Sequence, residues 1–241
     1  MFLSRVELDQ NNYETRRALL SPQMFHAAIE RCFNNEGDKN RFELNKSKIN
    51  KSEINKSEII NRKLWRLDSI GENLYLLVLS AEKPDFTKLI DQFCVLGIKG
   101  ESKDYDVLLN KLQAGQRWGF RLKGNATHSV LPDDNSRGTG VRGKVIAYAS
   151  LKYQLEWLHK KAQKCGFILE NDKFTVVGDV NYRFRRKGQN DDVKLGVAIY
   201  EGELTVSDVE LFKAALVQGI GRAKAYGCGL LTIADMRTAS A

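Results

Sequence analysis

The chain has 241 residues, enough for one large domain or two of about 100. It is 42% hydrophobic, which supplies a packed core, and 38 Lys plus Arg against 30 Asp plus Glu leave a net charge of +8 and a pI near 9.2. That balance points to a polyanionic partner, or else to an acidic membrane surface, and no apolar run approaches the ~20 residues that span a bilayer.

The first residues, MFLSRVELD, are charged too early for a signal peptide. Cys32, Cys94, Cys165 and Cys228 have no paired spacing and read as reduced, cytoplasmic and structural. His26, His128 and His159 lack metal-ligand spacing, so neither a metal site nor another cofactor is expected.

Residues 2–8 alternate apolar with polar and predict a strand, followed by a polar loop over 9–17. Ser21 and Pro22 mark a helix start, with Ser as N-cap and Pro in the first helical position. Phe25, Ile29, Cys32 and Phe33 then share one helical face, and the helix is expected to end near residue 34. Residues 45–59 repeat as NKSKI, NKSEI, NKSEI. A period of five keeps no face on a helix or a strand, so this stretch reads as an inserted, solvated loop. A basic arm for RNA is the sharper alternative, and Glu53 and Glu58 weigh against it.

Strands are predicted at 63–68 and 74–80 around a turn at Gly71, and a helix at 84–93. At 117–123, Trp118, Phe120 and Leu122 face one way and Arg117, Arg121 and Lys123 the other. This order predicts an α+β, ferredoxin-like βαββαβ unit over 1–124. Residues 125–144, rich in Gly, Ser, Asp and Asn and carrying Arg137 and Arg142, read as a linker, with His128 incidental.

A second ferredoxin-like βαββαβ unit is expected over 145–241, with 145–149 as its first strand. Residues 148–165 predict a helix with Leu151, Leu155, Leu158 and Ala162 inward and His159 at the surface. A hairpin follows at 174–186 and 193–204, with Val180, Tyr182 and Phe184 on one face and Asn181, Arg183 and Arg185 on the other. Arg186 and Lys187 continue the basic tip. Ser207 is expected to cap a helix reaching 217, and 230–234 closes the unit.

Between those last two elements lies QGIGRAKAYGCGLL, residues 218–231. Gly219, Gly221, Gly227 and Gly229 flank Arg222 and Lys224. The segment lacks the Gly-Lys-Ser/Thr ending of a Walker loop and the third glycine of a dinucleotide fingerprint, so no nucleotide cofactor is indicated. Two readings stay open: a basic concavity along a phosphate backbone, or a tight connection whose glycines serve packing.

The form G-I-G-x-A-K-x-x-G-C-G-L-L resembles the terminal loop of the CasE family of CRISPR endoribonucleases, within the RAMP superfamily. FRLKGN at 120–125 and LWRLD at 64–68 also resemble motifs of that family. The resemblance covers nearly the whole chain apart from 45–59. It implies two tandem ferredoxin-like units and a cytoplasmic enzyme that cuts the CRISPR repeat RNA hairpin without metal. Attack by a ribose 2′-OH would leave a 2′,3′-cyclic phosphate and a 5′-hydroxyl, with the product retained in Cascade beside other subunits.

The family's catalytic histidine falls on His26, and Glu30 lies four residues on. Where several members carry a tyrosine, this chain has Gln23, which leaves the second catalytic role open to Gln23 itself or to Tyr13. The resemblance also implies RNA contacts from Arg183, Arg185, Arg186 and Lys187, and from Gly219, Gly221, Arg222, Lys224, Gly227 and Gly229. Arg121 and Lys123 are further phosphate candidates. A non-catalytic RNA-binding subunit of a CRISPR ribonucleoprotein is the first rival. A metal-dependent nuclease using Asp191, Asp192, Glu201 and Glu203 is the second.

Overall fold

Alternation at the start of the chain becomes β1 (Phe2–Leu8), which buries Ser4, Val6 and Leu8 and exposes Arg5. The computed structural model describes residues 1–33, 62–130, 143–185 and 192–236. The repeat at 45–59 and the arginines at 137 and 142 lie outside the described residues. The chain divides into two units: Met1–Leu112 with Lys224–Gly227, and Gln113–Ala223 with Cys228–Ala241.

The first unit holds α1 (Tyr13–Leu20), α2 (Gln23–Arg31), β2 (Leu64–Ile70), β3 (Asn73–Ser80), α3 (Thr87–Phe93), β4 (Glu101–Asp104) and α4 (Asp106–Leu109). Its antiparallel sheet runs β2-β3-β1-β4, the ferredoxin-like order. Val6, Leu76, Val78, Phe25, Ile29, Leu89 and Phe93 form the core, and the Phe25 ring lies 5.8 Å from Trp65 and 5.1 Å from Phe93. On β2, Arg66 and Asp68 are both buried and joined by two hydrogen bonds of 2.7 and 2.6 Å.

Three expectations change in this unit. The loop expected over 9–17 contains α1, capped by Asn12, whose Oδ1 accepts from the N–H groups of Glu14 and Thr15. Only Thr15 and Ala18 of that helix are buried, too narrow a stripe to see in a polar run. Ser21 does not cap α2; its N–H closes α1 on the carbonyls of Arg17 and Ala18, and Pro22 holds the N-cap position. The fourth strand is Glu101–Asp104, not 117–123. It is an edge strand with mostly exposed side chains, so no alternation betrays it.

The second unit contains β5 (Arg117–Gly124), β6 (Thr127–Val130), β7 (Lys144–Ala147), α5 (Leu151–Lys164), β8 (Phe167–Ile168), β9 (Phe174–Arg185), β10 (Asp192–Val206), α6 (Val209–Gln218) and β11 (Leu231–Ala234). β5 is its first strand, paired with β11 on one side and β10 on the other, while β9 pairs with β10. This too is the ferredoxin-like order. The strand expected at 145–149 instead pairs, as β7, with β6 in a separate ribbon, and β6 lies inside what reads in sequence as a linker. A unit that begins and ends on a strand leaves an intervening strand free to close one unit or open the next. Hydrogen-bond partners decide, and those of β5 are β10 and β11.

On α5 the buried stripe is Gln154, Trp157, Leu158 and Ala162, whereas Leu151 is exposed and Leu155 half-buried. The stripe is turned because Gln154 is inward, donating to the Tyr148 carbonyl and to Asp179. His159 meets the Phe174 ring edge-on at 4.9 Å. Asp208, not Ser207, caps α6, accepting from Leu211 N–H at 2.9 Å. Burial pushes the thiols of Cys32, Cys94 and Cys228 up to about 12, and none of the four cysteines forms a disulfide, so these three are packing residues rather than nucleophiles.

Candidate active site

The face of α2 is set by Phe25, Ala28 and Ile29, which are buried. His26, beside that stripe, keeps 40% of its side chain exposed. Its Nδ1 is 3.9 Å from Glu30 Oε1, one turn on. Lys63 Nζ donates to the other Glu30 oxygen at 2.7 Å and lies 5.0 Å from the Phe33 ring centre. Glu30 is therefore held from outside the helix, and its free edge faces the imidazole. Lys63 has no sequence signal for this role, because its partner is 33 residues away. Gln23 lies one turn before His26, half-buried on the same side of the helix. Tyr13 is not in a loop. It opens α1, is 71% exposed, and carries the Arg17 guanidinium 5.5 Å from its ring. It sits at the end of α1 remote from the turn into α2, about 10 Å along the axis.

The glycine-rich segment divides. Lys224–Tyr226 forms a 3-10 turn packed on α2 and β2. At Gly227, φ is +75° and a Cβ would come 2.8 Å from the Trp65 ring. Only glycine lets the backbone lie this close to that ring. The two motifs read separately in sequence, the His26 helix and the terminal loop, thus meet in the first unit. In the second unit, Gly221 has φ +82° and a Cβ there would be 3.0 Å from the Trp157 ring. Gly219 and Gly229 also have positive φ. The N–H groups of Gly219, Ile220, Gly227 and Gly229 donate to the carbonyls of Ala215, Gly229, Lys224 and Lys123. Those four amides donate within the protein, to α6, to β5 and within the loop itself, which fits the packing reading. Arg222 is exposed and bridged by backbone to Asn125; Lys224 is half-buried.

The basic face of β5 is largely neutralised. Arg121 pairs with Glu201, and Arg117 with Glu203 at 2.8 Å. Lys123 is only 5% exposed and donates to the Tyr182 hydroxyl at 2.9 Å. It is part of the sheet's interior rather than an open phosphate contact. The β9–β10 hairpin is as the alternation predicts: Phe184 is buried, Tyr182 half-buried, and Arg183 and Arg185 are 71% and 69% exposed. Both arginines reach Asp192, at 2.7 and 3.5 Å. The hydrogen bond from Arg183 holds the Asp192 carboxyl below the usual carboxylate range. Arg186 and Lys187, with Asp191, lie outside the described residues. Of the carboxylates considered for a metal, Asp192, Glu201 and Glu203 each answer an arginine. Among the described residues no three His, Cys, Asp or Glu side chains converge on one point.

A family model described as CRISPR associated protein matches residues 1–235. The chain belongs to that family. The resemblance carried by the terminal loop is upheld by two further relatives. The CRISPR-associated endoribonuclease Cse3 of Thermus thermophilus is 24% identical over 97% of this chain and all of its own length. The CRISPR system Cascade subunit CasE of Escherichia coli is 26% identical over 68% of this chain and 76% of its own. The structure of Thermus thermophilus Cse3 bound to an RNA representing a pre-cleavage complex shares the fold, with a TM-score of 0.69 at 23% identity over 97% of this chain and 98% of that one. Among the described residues of this CRISPR-associated protein, no helix is long and apolar enough to cross a membrane.

Proposed function

We propose that this protein is the endoribonuclease that cuts the CRISPR repeat RNA hairpin, working in the cytoplasm without a metal and staying with its product as a Cascade subunit. The carrying observation is His26 on the open flank of α2, with Glu30 beside it and the 3-10 turn of the terminal loop packed on the same helix. The names of its relatives, an endoribonuclease and a Cascade subunit, support the same reading.

In the proposed step the 2′ oxygen forms a bond to the adjacent phosphorus as the bond from phosphorus to the 5′ oxygen breaks. One proton leaves the 2′-OH and one reaches the departing 5′ oxygen. A cyclic phosphate and a 5′-hydroxyl result, and no water or redox partner is consumed. His26 handles one of these transfers, the work imidazole suits near neutral pH. Gln23, one turn earlier, hydrogen-bonds a phosphate oxygen but carries no titrating proton. Tyr13, at the far end of α1, is the weaker candidate for the second role. Metal independence is supported by the arginine partners of Asp192, Glu201 and Glu203. The exposed arginines of the hairpin grip the stem through shape and phosphates.

His26→Ala is expected to lower single-turnover cleavage by ~10²–10⁴-fold while RNA affinity stays within about twofold. A substrate with hydrogen in place of the nucleophilic 2′-OH should bind and not be cut, and cleavage should persist in excess EDTA. Normal cleavage by the variant or of the deoxy substrate would sink the mechanism. Binding without any cleavage by the wild-type chain would favour the structural-subunit alternative.

A further inference from the structure

The β6–β7 ribbon pairs with no other strand among the described residues, and a lone two-stranded ribbon is marginal by itself. Its residues Val130, Val145 and Ile146 are each about two-fifths exposed. Along one edge runs a column of three rings. His128 stacks on Tyr148 with centroids 4.4 Å apart and planes 18° from parallel. Tyr148 stacks on Tyr153 at 5.5 Å and 25°. Tyr148, the middle ring, is flanked by the other two. Tyr153, on the first turn of α5, ends the column and is 50% exposed.

The column is held from beneath. Buried Gln154 donates to the Tyr148 carbonyl at 3.1 Å and to Asp179 at 2.9 Å, and its own carbonyl accepts from the Tyr200 hydroxyl at 3.2 Å. The Tyr148 N–H donates to Ala126, which continues the ribbon. A Cβ on Gly196 would come 2.8 Å from Ala147, so β7 is pressed close to β10. Backbone and ring orientation are thus set before any ligand arrives. Lys144, on the ribbon face shared with His128, and Lys152, next to Tyr153, are both exposed.

We propose that the open face of Tyr153 is a stacking site for one unpaired nucleobase of the bound RNA, with Lys144 and Lys152 taking the flanking phosphates. Stacked rings with polar edges, rimmed by lysines, are the combination that holds single-stranded nucleic acid. Every base has a π-face, whereas bases inside a stem are already stacked, so the site takes a nucleotide flanking the hairpin. This proposal rests on the RNA reading above and adds a contact that the basic hairpin cannot supply.

The test uses two repeat hairpins made uncleavable by a 2′-deoxy substitution, one with its unpaired flanks and one blunt. The flanked RNA carries 2-aminopurine at each unpaired position in turn. Wild-type protein should quench one position and not the others. Tyr153→Ala should abolish that quenching and weaken the flanked hairpin by roughly 5- to 100-fold. It should leave the blunt hairpin unaffected, and Tyr153→Phe should behave as wild type. Quenching at no position, or equal weakening of both hairpins by Tyr153→Ala, overturns the site. Unchanged RNA binding with lost co-purification of other Cascade subunits would reassign the face to a protein partner. If the wild-type chain binds neither hairpin, the RNA reading fails and this site with it.

Discussion

β5 and β9 carry the same pattern, apolar residues on one face and cations on the other, yet their cations meet different fates. β5 lies between β10 and β11, and β10 answers its arginines with Glu201 and Glu203 while Tyr182 of β9 takes Lys123. Among the described residues β9 pairs with β10, and both of its described arginines reach Asp192 while staying mostly exposed. Alternation therefore identifies a basic face but not an available one. A central strand is bordered on both sides by residues that can neutralise and cover it, and an edge strand is bordered on one side and leaves its cations exposed. Exposed cations are the ones a phosphate backbone can reach.

Lys123 offers the largest effect that tests this contrast. Lys123→Ala removes a packed stem and a buried hydrogen bond, and the midpoint of urea unfolding should fall by an amount worth about 1–3 kcal/mol. The salt dependence of RNA binding should not change. A stable variant with a shallower salt slope would mean that Lys123 touches phosphate and that the contrast is false.

The hairpin should respond the other way. Replacing Arg183 and Arg185 by alanine should leave stability within about 0.5 kcal/mol, since both side chains are mostly solvated. If each contacts a phosphate, the slope of log affinity against log salt should fall by roughly one to two units. An unchanged slope would make the hairpin a solvated edge, with the stem held elsewhere.

A smaller effect is expected within β5. A double-mutant cycle on Arg121 and Glu201, both partly exposed, should return a coupling of about 0.2–1 kcal/mol. Glu201→Gln alone should also steepen the salt slope, because it removes one carboxylate from beside Arg121. No steepening would show that Arg121 is out of reach of RNA even when released.

The smallest effect comes with acid. Asp192 has its carboxyl lowered on folding, so what it adds to stability is present above the ordinary carboxylate range, near 4, and is lost as pH falls through its folded value. Its arginine partners are mostly exposed and solvent screens the pair, so the melting temperature should barely move through that window in Asp192→Asn compared with wild type. Backbone NMR shifts at Arg183 and Arg185 should follow the titration in the wild type only. A large acid loss of stability specific to the wild type would mean that the hairpin tip is a structural clamp.

Much of this molecule was legible in its residues before any coordinates. The strand at 2–8, the helix carrying Phe25 and Ile29, the long basic hairpin and the glycine-dependent terminal loop follow from side-chain periodicity and from the conformations only glycine adopts. These are local properties, fixed by which faces of a segment are apolar and which φ values are open to it. The proposal of His26 rests on resemblance, since a single histidine beside an apolar stripe has no periodic signature. Asn12 as a cap and the burial of Thr15 were hidden because a helix with two buried residues looks like a polar loop.

Partnership was decided only in three dimensions. Nothing in Arg117–Gly124 says that its neighbours are β10 and β11, because a strand shows which side is apolar and not which edge pairs with which. The same holds for Glu30 and Lys63, for Lys123 and Tyr182, and for the column of His128, Tyr148 and Tyr153. Each joins residues from different elements, so each depends on where the backbone folds back upon itself. Local sterics choose the elements; burial and hydrogen bonding among distant segments choose which charges are neutralised and which remain for a ligand.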